Sequence, residues 1–333
     1  MLRIHFTRDD LARTRVAPGP DPLWEVTLSL ARLQTRHGRL VFAPWQSEVR
    51  SALSRQGVDR LARSVLFPLL PRASYFPDFL TPAEGVDGFA AGVEAIQVTP
   101  RRRINMELRK LGRQRALPSW VRTLAAGDQQ AMKLLLHALG AYHRIAVDPY
   151  LPRAQAQFDA DRAIRTRAML HGGMEGMLAS LQPIMRWRSP VLEVDSPLAR
   201  DIHLDGNGLL LIPSYFCWGN PVPIADPGLP QVLVYPVTHD PHWLTDRPAP
   251  TGAAQLAALI GATRAEVLHA VAAGATTGEL AQRVGVTPAA VSQHTTVLRN
   301  AGLIVSQRRA NTVLHTPTPL GSSLLNGASG SRS

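Results

Sequence analysis

Apolar side chains recur at helical spacing through most of the first 187 positions, and the period then shortens. Leu23, Val26, Leu30 and Leu33 repeat every three or four residues, which predicts an amphipathic helix over 23–36. Similar patterns predict helices over 45–55, 58–67, 86–98, 128–145 and 153–185, the last broken at Gly172-Gly173. Thr99-Pro100 reads as a further helix start. The chain itself opens on alternation. Leu2-Arg3-Ile4-His5-Phe6 predicts a short strand, and Thr7 caps a helical turn through Asp10 with Leu11 inward. Pro18, Pro20 and Pro22 form a stiff connector. Between helices, residues 68–82 hold four prolines with Tyr75, Phe76 and Phe79, an irregular segment that packs through its aromatics.

After Trp187 the pattern becomes short β-branched and leucine runs, 191–194, 202–204, 208–212 and 232–235, separated by Asp, Gly and Pro. Asp205-Gly206-Asn207-Gly208 carries the composition of a hairpin turn. Residues 213–230 form a Pro-rich loop bearing Tyr215, Phe216 and Trp218, and 247–252 reads as a linker. The fold class expected is mainly α with small β elements (α+β). Its parts are a mostly helical 1–187, a short β-rich segment and linker 188–250, a third domain 251–326 and a disordered tail 327–333.

Helical spacing resumes at Leu256, Leu259 and Ile260, and Thr263 with Glu266 suggests a capping box for the next helix. Residues 276–316 carry the densest local signals. Thr276 and Glu279 form another capping box; Leu280, Ala281 and Val284 face one way, and Gly285 ends the run. Val286 pins the turn, and Thr287-Pro288 opens a second helix as N-cap and first helical position. Val291, Thr295 and Leu298 share its inner face, while Ala289, Ser292, Gln293, Thr296 and Arg299 share the outer one. Asn300-Ala301-Gly302 closes the helix. Two β-branched runs, 303–305 and 312–314, then flank a polar tip, Gln307-Arg308-Arg309-Ala310-Asn311. Two short helices, a tight turn and a hairpin make a helix-turn-helix with a wing.

These residues resemble the ArsR-type winged-helix repressors of bacteria. The likeness lies in Glu279-Leu280-Ala281, Val291-Ser292-Gln293-His294, Leu298, Ala301-Gly302-Leu303-Ile304 and Arg308-Arg309, and covers about a quarter of the chain. Three departures stand out. Thr295 replaces the usual leucine, Ala310 occupies the wing glycine position so that Asn311 would take the left-handed conformation, and the thiolate metal box is missing from 279–284. The whole chain also resembles longer actinobacterial regulators that place a large domain of unknown function before such a winged helix, through the N-terminal MLRIHFTRDDLARTRVAPGPDPLWE. The resemblance implies a DNA-binding transcriptional regulator, a dimeric repressor whose N-terminal region senses an effector or mediates dimerisation. Double-stranded DNA, a second copy and a small-molecule effector are the partners expected. Ser292, Gln293 and Thr296 would meet base edges; Thr287, Ala289, His294, Arg299, Arg308, Arg309 and Asn311 would complete the DNA surface.

Composition adjusts this picture modestly. The 333 residues, 45% hydrophobic and 18% charged, suit two or three globular domains. The net charge is +11; residues 251–333 hold six arginines against two glutamates, so +7 lies upstream. A polyanionic partner fits this balance, as does an Arg-rich codon bias. The single Cys217 precludes an intramolecular disulfide and points to a reducing cytoplasm, and no apolar run approaches membrane-spanning length.

Other chemistry is weakly signalled. His239-Asp240-Pro241-His242 near Cys217 lacks the third and fourth ligands a zinc site needs, so no metal or other cofactor is expected. Arg101-Arg102-Arg103 offers a phosphate grip or, more ordinarily, a solvated helix face. The aromatics Tyr75, Phe76, Phe79, Tyr215, Phe216 and Trp218 suit either an effector pocket or a minor core under long loops. No nucleophile motif, phosphate loop or dinucleotide fingerprint is present, and catalysis is not expected. Two alternatives remain. One is an enzyme within the first 250 residues with a regulatory or protein-docking winged helix, and the other a winged helix that binds protein alone.

Overall fold

The computed structural model describes residues 1–71, 75–196, 199–241, 243–244, 252–272, 274–309 and 312–327. They form an α+β protein, mainly helical with three small sheets, in two compact units, Met1–Leu244 and Thr245–Ser333.

The first unit begins with β1 (Leu2–His5), α1 (Arg8–Arg13), β2 (Arg15–Val16), α2 (Pro22–Gln34) and α3 (Arg39–Arg55). The expected Thr7 cap forms, as a reciprocal capping box with Asp10, while Asp21, which was not expected to cap, accepts the Leu23 and Trp24 N–H groups and brings Pro22 out of the expected connector into α2. Short helices α4 (Asp59–Leu61) and α5 (Phe67–Leu69) flank a π-helical turn, Ala62–Leu66. Then come α6 (Phe89–Gln97), α7 (Arg101–Gly112), α8 (Ser119–Ala125), α9 (Gln129–Ala146) and α10 (Gln155–Ala179). The kink expected in α10 is present, since Gly172 and Gly173 leave helical geometry with Gly173 at φ +60°.

The strands of 185–236 do not stand apart. Four of them are β3 (Met185–Arg188), β4 (Val191–Val194), β5 (Arg200–His203) and β6 (Leu210–Ser214); β7 (Val222–Pro223) and β8 (Val232–Pro236) complete the set. One sheet has the order β3-β4-β1-β5, with β1 antiparallel to β4 and parallel to β5. The other has the order β2-β6-β8-β7, with β2, β6 and β8 parallel. The expected division at 187/188 is therefore not a boundary between units, because these strands find partners at the start of the chain.

β8 is buried along its whole length, and its two faces feed two cores. Val232 and Val234 join the helical core with Trp24, Phe42, Trp45 and Tyr142; Leu233 and Tyr235 join the core under the first sheet with Leu2, Ile4 and Leu192. A strand covered on both faces has no polar side to show, hence its unbroken apolar run. The expected hairpin at 205–208 is corrected here: β5 and β6 belong to different sheets. The turn residues dock on α1, where Asp10 Oδ1 accepts the Gly208 N–H (2.9 Å) and Arg13 donates to the Gly206 carbonyl (2.7 Å). A Cβ on Gly208, whose φ is +76°, would lie 2.7 Å from the Arg13 backbone. The glycines thus serve a close crossing between sheets.

The second unit comprises α11 (Gly252–Ile260), α12 (Ala262–Val271), β9 (Ala275–Thr276), α13 (Thr277–Val284), α14 (Pro288–Asn300), β10 (Ile304–Arg309), β11 (Thr312–Pro317) and α15 (Pro319–Gly327). The last helix had no counterpart among the elements expected. The capping box assigned to Thr263 and Glu266 does not form, because α12 starts two residues earlier behind Gly261 and places Thr263 inside its first turn. The linker residues 245–251 and the tail residues 328–333 lie outside the described residues. Among the described residues no helix is long and apolar enough to cross a membrane.

Candidate nucleic-acid interface

Local chemistry sets both helices of the motif. Thr276 Oγ1 accepts the Glu279 N–H while Glu279 Oε2 accepts the Thr276 N–H (2.7 Å), and Gly285 ends α13 in the left-handed region at φ 71°. Thr287 caps α14 through the Ala290 N–H (3.3 Å), with Pro288 at the first helical position. Leu280, Val291, Leu298, Leu303 and Ile304 are buried together with Val267, Leu268 and Val271 of α12. Burial of each such side chain contributes about 1.5–3 kcal/mol, more than a cap at about 1 kcal/mol. Packing therefore holds the motif, and the caps fix where its helices begin.

Thr295 explains how the motif tolerates a hydroxyl at a core position. It is buried, and its Oγ1 donates to the Ser292 carbonyl (3.2 Å) of its own helix. Thr296 donates to the same carbonyl (2.8 Å) from the outer side.

The outer face is open. Ala289, Ser292, Gln293, Thr296 and Arg299 are exposed and share one accessible helix surface, Thr287 is exposed at the N-cap, and His294 is half-buried toward the side of Val291 and Leu298. Arg308 is exposed on β10. The strands extend further than expected, pairing Arg309 with Thr312, so Gln307, Arg308 and Arg309 lie within β10 and not in a loop tip. Asn311 and Ala310 lie outside the described residues.

One organising residue was not among the site residues expected. His315 on β11 is buried; its Nε2 is bonded to Thr277 Oγ1 (3.0 Å) and its Nδ1 to Ser306 Oγ (2.8 Å). It thereby ties the start of α13 to both strands of the wing. Burial, then the nearby Arg299 charge, holds its pKa below the usual 6.5. A histidine at an inward strand position among serines and threonines was the available clue.

The six aromatics weighed as a pocket lining sit in two places. Tyr75 and Phe79 are buried and Phe76 partly so; Glu107 of α7 accepts the Phe79 N–H (2.8 Å), and the Tyr75 hydroxyl donates to the Glu107 carbonyl (3.4 Å). Tyr215 and Phe216 are buried against Phe42, Trp45 and Trp243, while Trp218 stays exposed beside Phe42 and His239. A cleft of about 320 Å³ lies elsewhere, lined by Thr99, Arg101, Ile104, Leu124, Met132 and Lys133 among others. Cys217 is buried, and burial pushes its thiol up to about 12, far from a reactive thiolate. His239 bonds the Tyr215 carbonyl (2.7 Å), and His242 lies outside the described residues.

The family described as "Helix-turn-helix domain" matches residues 259–307, from the last turn of α11 into β10. No curated protein and no solved structure matches the chain. Residues 259–307 are accordingly a helix-turn-helix domain, which suggests regulation through DNA binding.

Proposed function

We propose that this protein is an ArsR-like transcriptional regulator, a dimeric repressor that acts by binding duplex DNA and not by catalysis. The observation that carries the reading is the outer face of α14, where Ser292, Gln293 and Thr296 stand exposed on a helix held by its opposite side. An open, polar face near a helix N-terminus suits insertion into the major groove. Gln293 would pair with adenine; Thr287, His294, Arg299, Arg308 and Arg309 would hold phosphates or the minor groove, with Ala289 and Asn311 completing the DNA surface. One reader helix offers few base contacts, so two copies on half-sites about 34–36 Å apart would supply usable affinity. The first unit would mediate dimerisation or effector sensing, and an effector would act through its differential affinity for two dimer arrangements.

Titration of the full chain with duplex DNA across a salt series tests this. Arg308→Ala should weaken binding to all sequences alike and reduce the slope of log K against log salt by about one. An unchanged slope removes the wing from the interface, and absence of duplex binding by the unaltered chain overturns the reading.

A further inference from the structure

The first unit has a charge asymmetry of its own. Residues 101–127 carry eight basic side chains, seven of them arginine, against the single acid Glu107. Their net +7 equals the whole excess of residues 1–250, so the remainder of that stretch is balanced. The structure places most of this charge on α7, the segment that follows it, and α8.

α7 has two faces. Ile104, Glu107, Leu108 and Leu111 are buried, and Arg103 is committed to Glu107 (2.7 Å). The Lys110 ammonium lies over the Tyr75 ring, 4.2 Å from its centroid. Arg102, Arg109 and Arg113 are different. They are exposed, follow at spacings of seven and four so that they share one face, and their guanidinium groups enter no ion pair or hydrogen bond among the described residues. Arg115, and Arg122 on α8, extend the exposed charge. Glu107, the one acid on α7, is buried and paired with Arg103, and so does not neutralise this face.

We infer that the exposed face of α7 is a second phosphate-binding surface, one that grips the backbone of duplex DNA. Arg102 to Arg113 spans about 16 Å of helix. One DNA strand presents a phosphate about every 3.4 Å of axis, so the row covers about five phosphates. Arginine matches phosphate through paired donors and stays charged at any physiological pH. A lipid surface fits less well: the only apolar side chain in the row is Met106, and interfacial helices carry Trp, Phe or Leu to insert. The choice of DNA as the polyanion rests on the function proposed above.

The test uses the full chain and random-sequence duplex DNA, followed by fluorescence anisotropy across a salt series. Arg102→Gln/Arg109→Gln/Arg113→Gln should flatten the log K against log salt slope by about 2–3 units, since each lost phosphate contact removes about 0.9. Arg109→Gln alone should remove about one, and combination with Arg308→Ala should add its own decrement. An unchanged slope in the triple variant, with Arg308→Ala still effective, overturns this inference and leaves the proposed function standing. Preferential binding of the chain to anionic vesicles, lost in the triple variant while duplex affinity is unaltered, overturns it equally. A chain that binds no duplex overturns both.

Discussion

His315 shows how much one side chain holds in the second unit. Both ring nitrogens are bonded to hydroxyls, and those hydroxyls belong to α13 and β10, on either side of β11. His315→Ala leaves Thr277 and Ser306 without their partner and empties a buried site. Loss of about 1–3 kcal/mol in chemical denaturation is expected. The pH dependence has a definite sign. A histidine whose folded pKa lies below the usual 6.5 binds fewer protons folded than unfolded, so its contribution is full above 6.5 and declines as pH falls further. Relative to His315→Ala, the unaltered chain should lose stability on acidification below about 6.5; parallel curves for the two would contradict the assignment.

At the scale of elements, Glu25 links α2 to the loop that follows β6. Its two carboxylate oxygens accept the Tyr215 N–H (2.8 Å) and the Phe216 N–H (3.0 Å), fixing the aromatic loop after β6. Full burial pushes its pKa from 4.5 up to about 7, with Asp21 adding to the rise against the hydrogen bonds that lower it. The folded state therefore holds this proton to higher pH than the unfolded chain, and stability falls as pH climbs from 4.5 toward 7. Any advantage of the unaltered chain over Glu25→Gln should shrink between about pH 5 and about pH 8 in urea denaturation. A constant difference would show that Glu25 does not titrate there.

Legibility followed sequence distance at this scale. α13 and α14 are written in adjacent residues, since Thr276 with Glu279, Gly285, and Thr287-Pro288 are all short-range signals. β1 pairs with β5 across nearly the whole first unit, and nothing within five residues of Leu2 or Arg200 specifies that partner. Asp205-Gly206-Asn207-Gly208 has hairpin composition, yet Asp10 and Arg13 take up its backbone groups from far away. Likewise the arginine triplet at 101–103 was visible, whereas the free row on α7 depended on knowing that Glu107 and Tyr75 engage Arg103 and Lys110. The exposed face of α14 was legible because a helix period fixes it once Val291 and Leu298 are assigned inward.

The whole molecule carries a helix-turn-helix domain and a larger first unit whose surplus charge lies on α7, the segment after it and α8. Central to the proposed function is base reading by Ser292, Gln293 and Thr296. The most direct measurement is selection by the full chain from a random-sequence duplex pool, with and without Gln293→Ala. The unaltered chain should enrich two half-sites about one helical turn apart, with one adenine-containing pair in each whose preference the variant loses by about 1–3 kcal/mol. An identical enriched sequence for both proteins, or none for either, would contradict it.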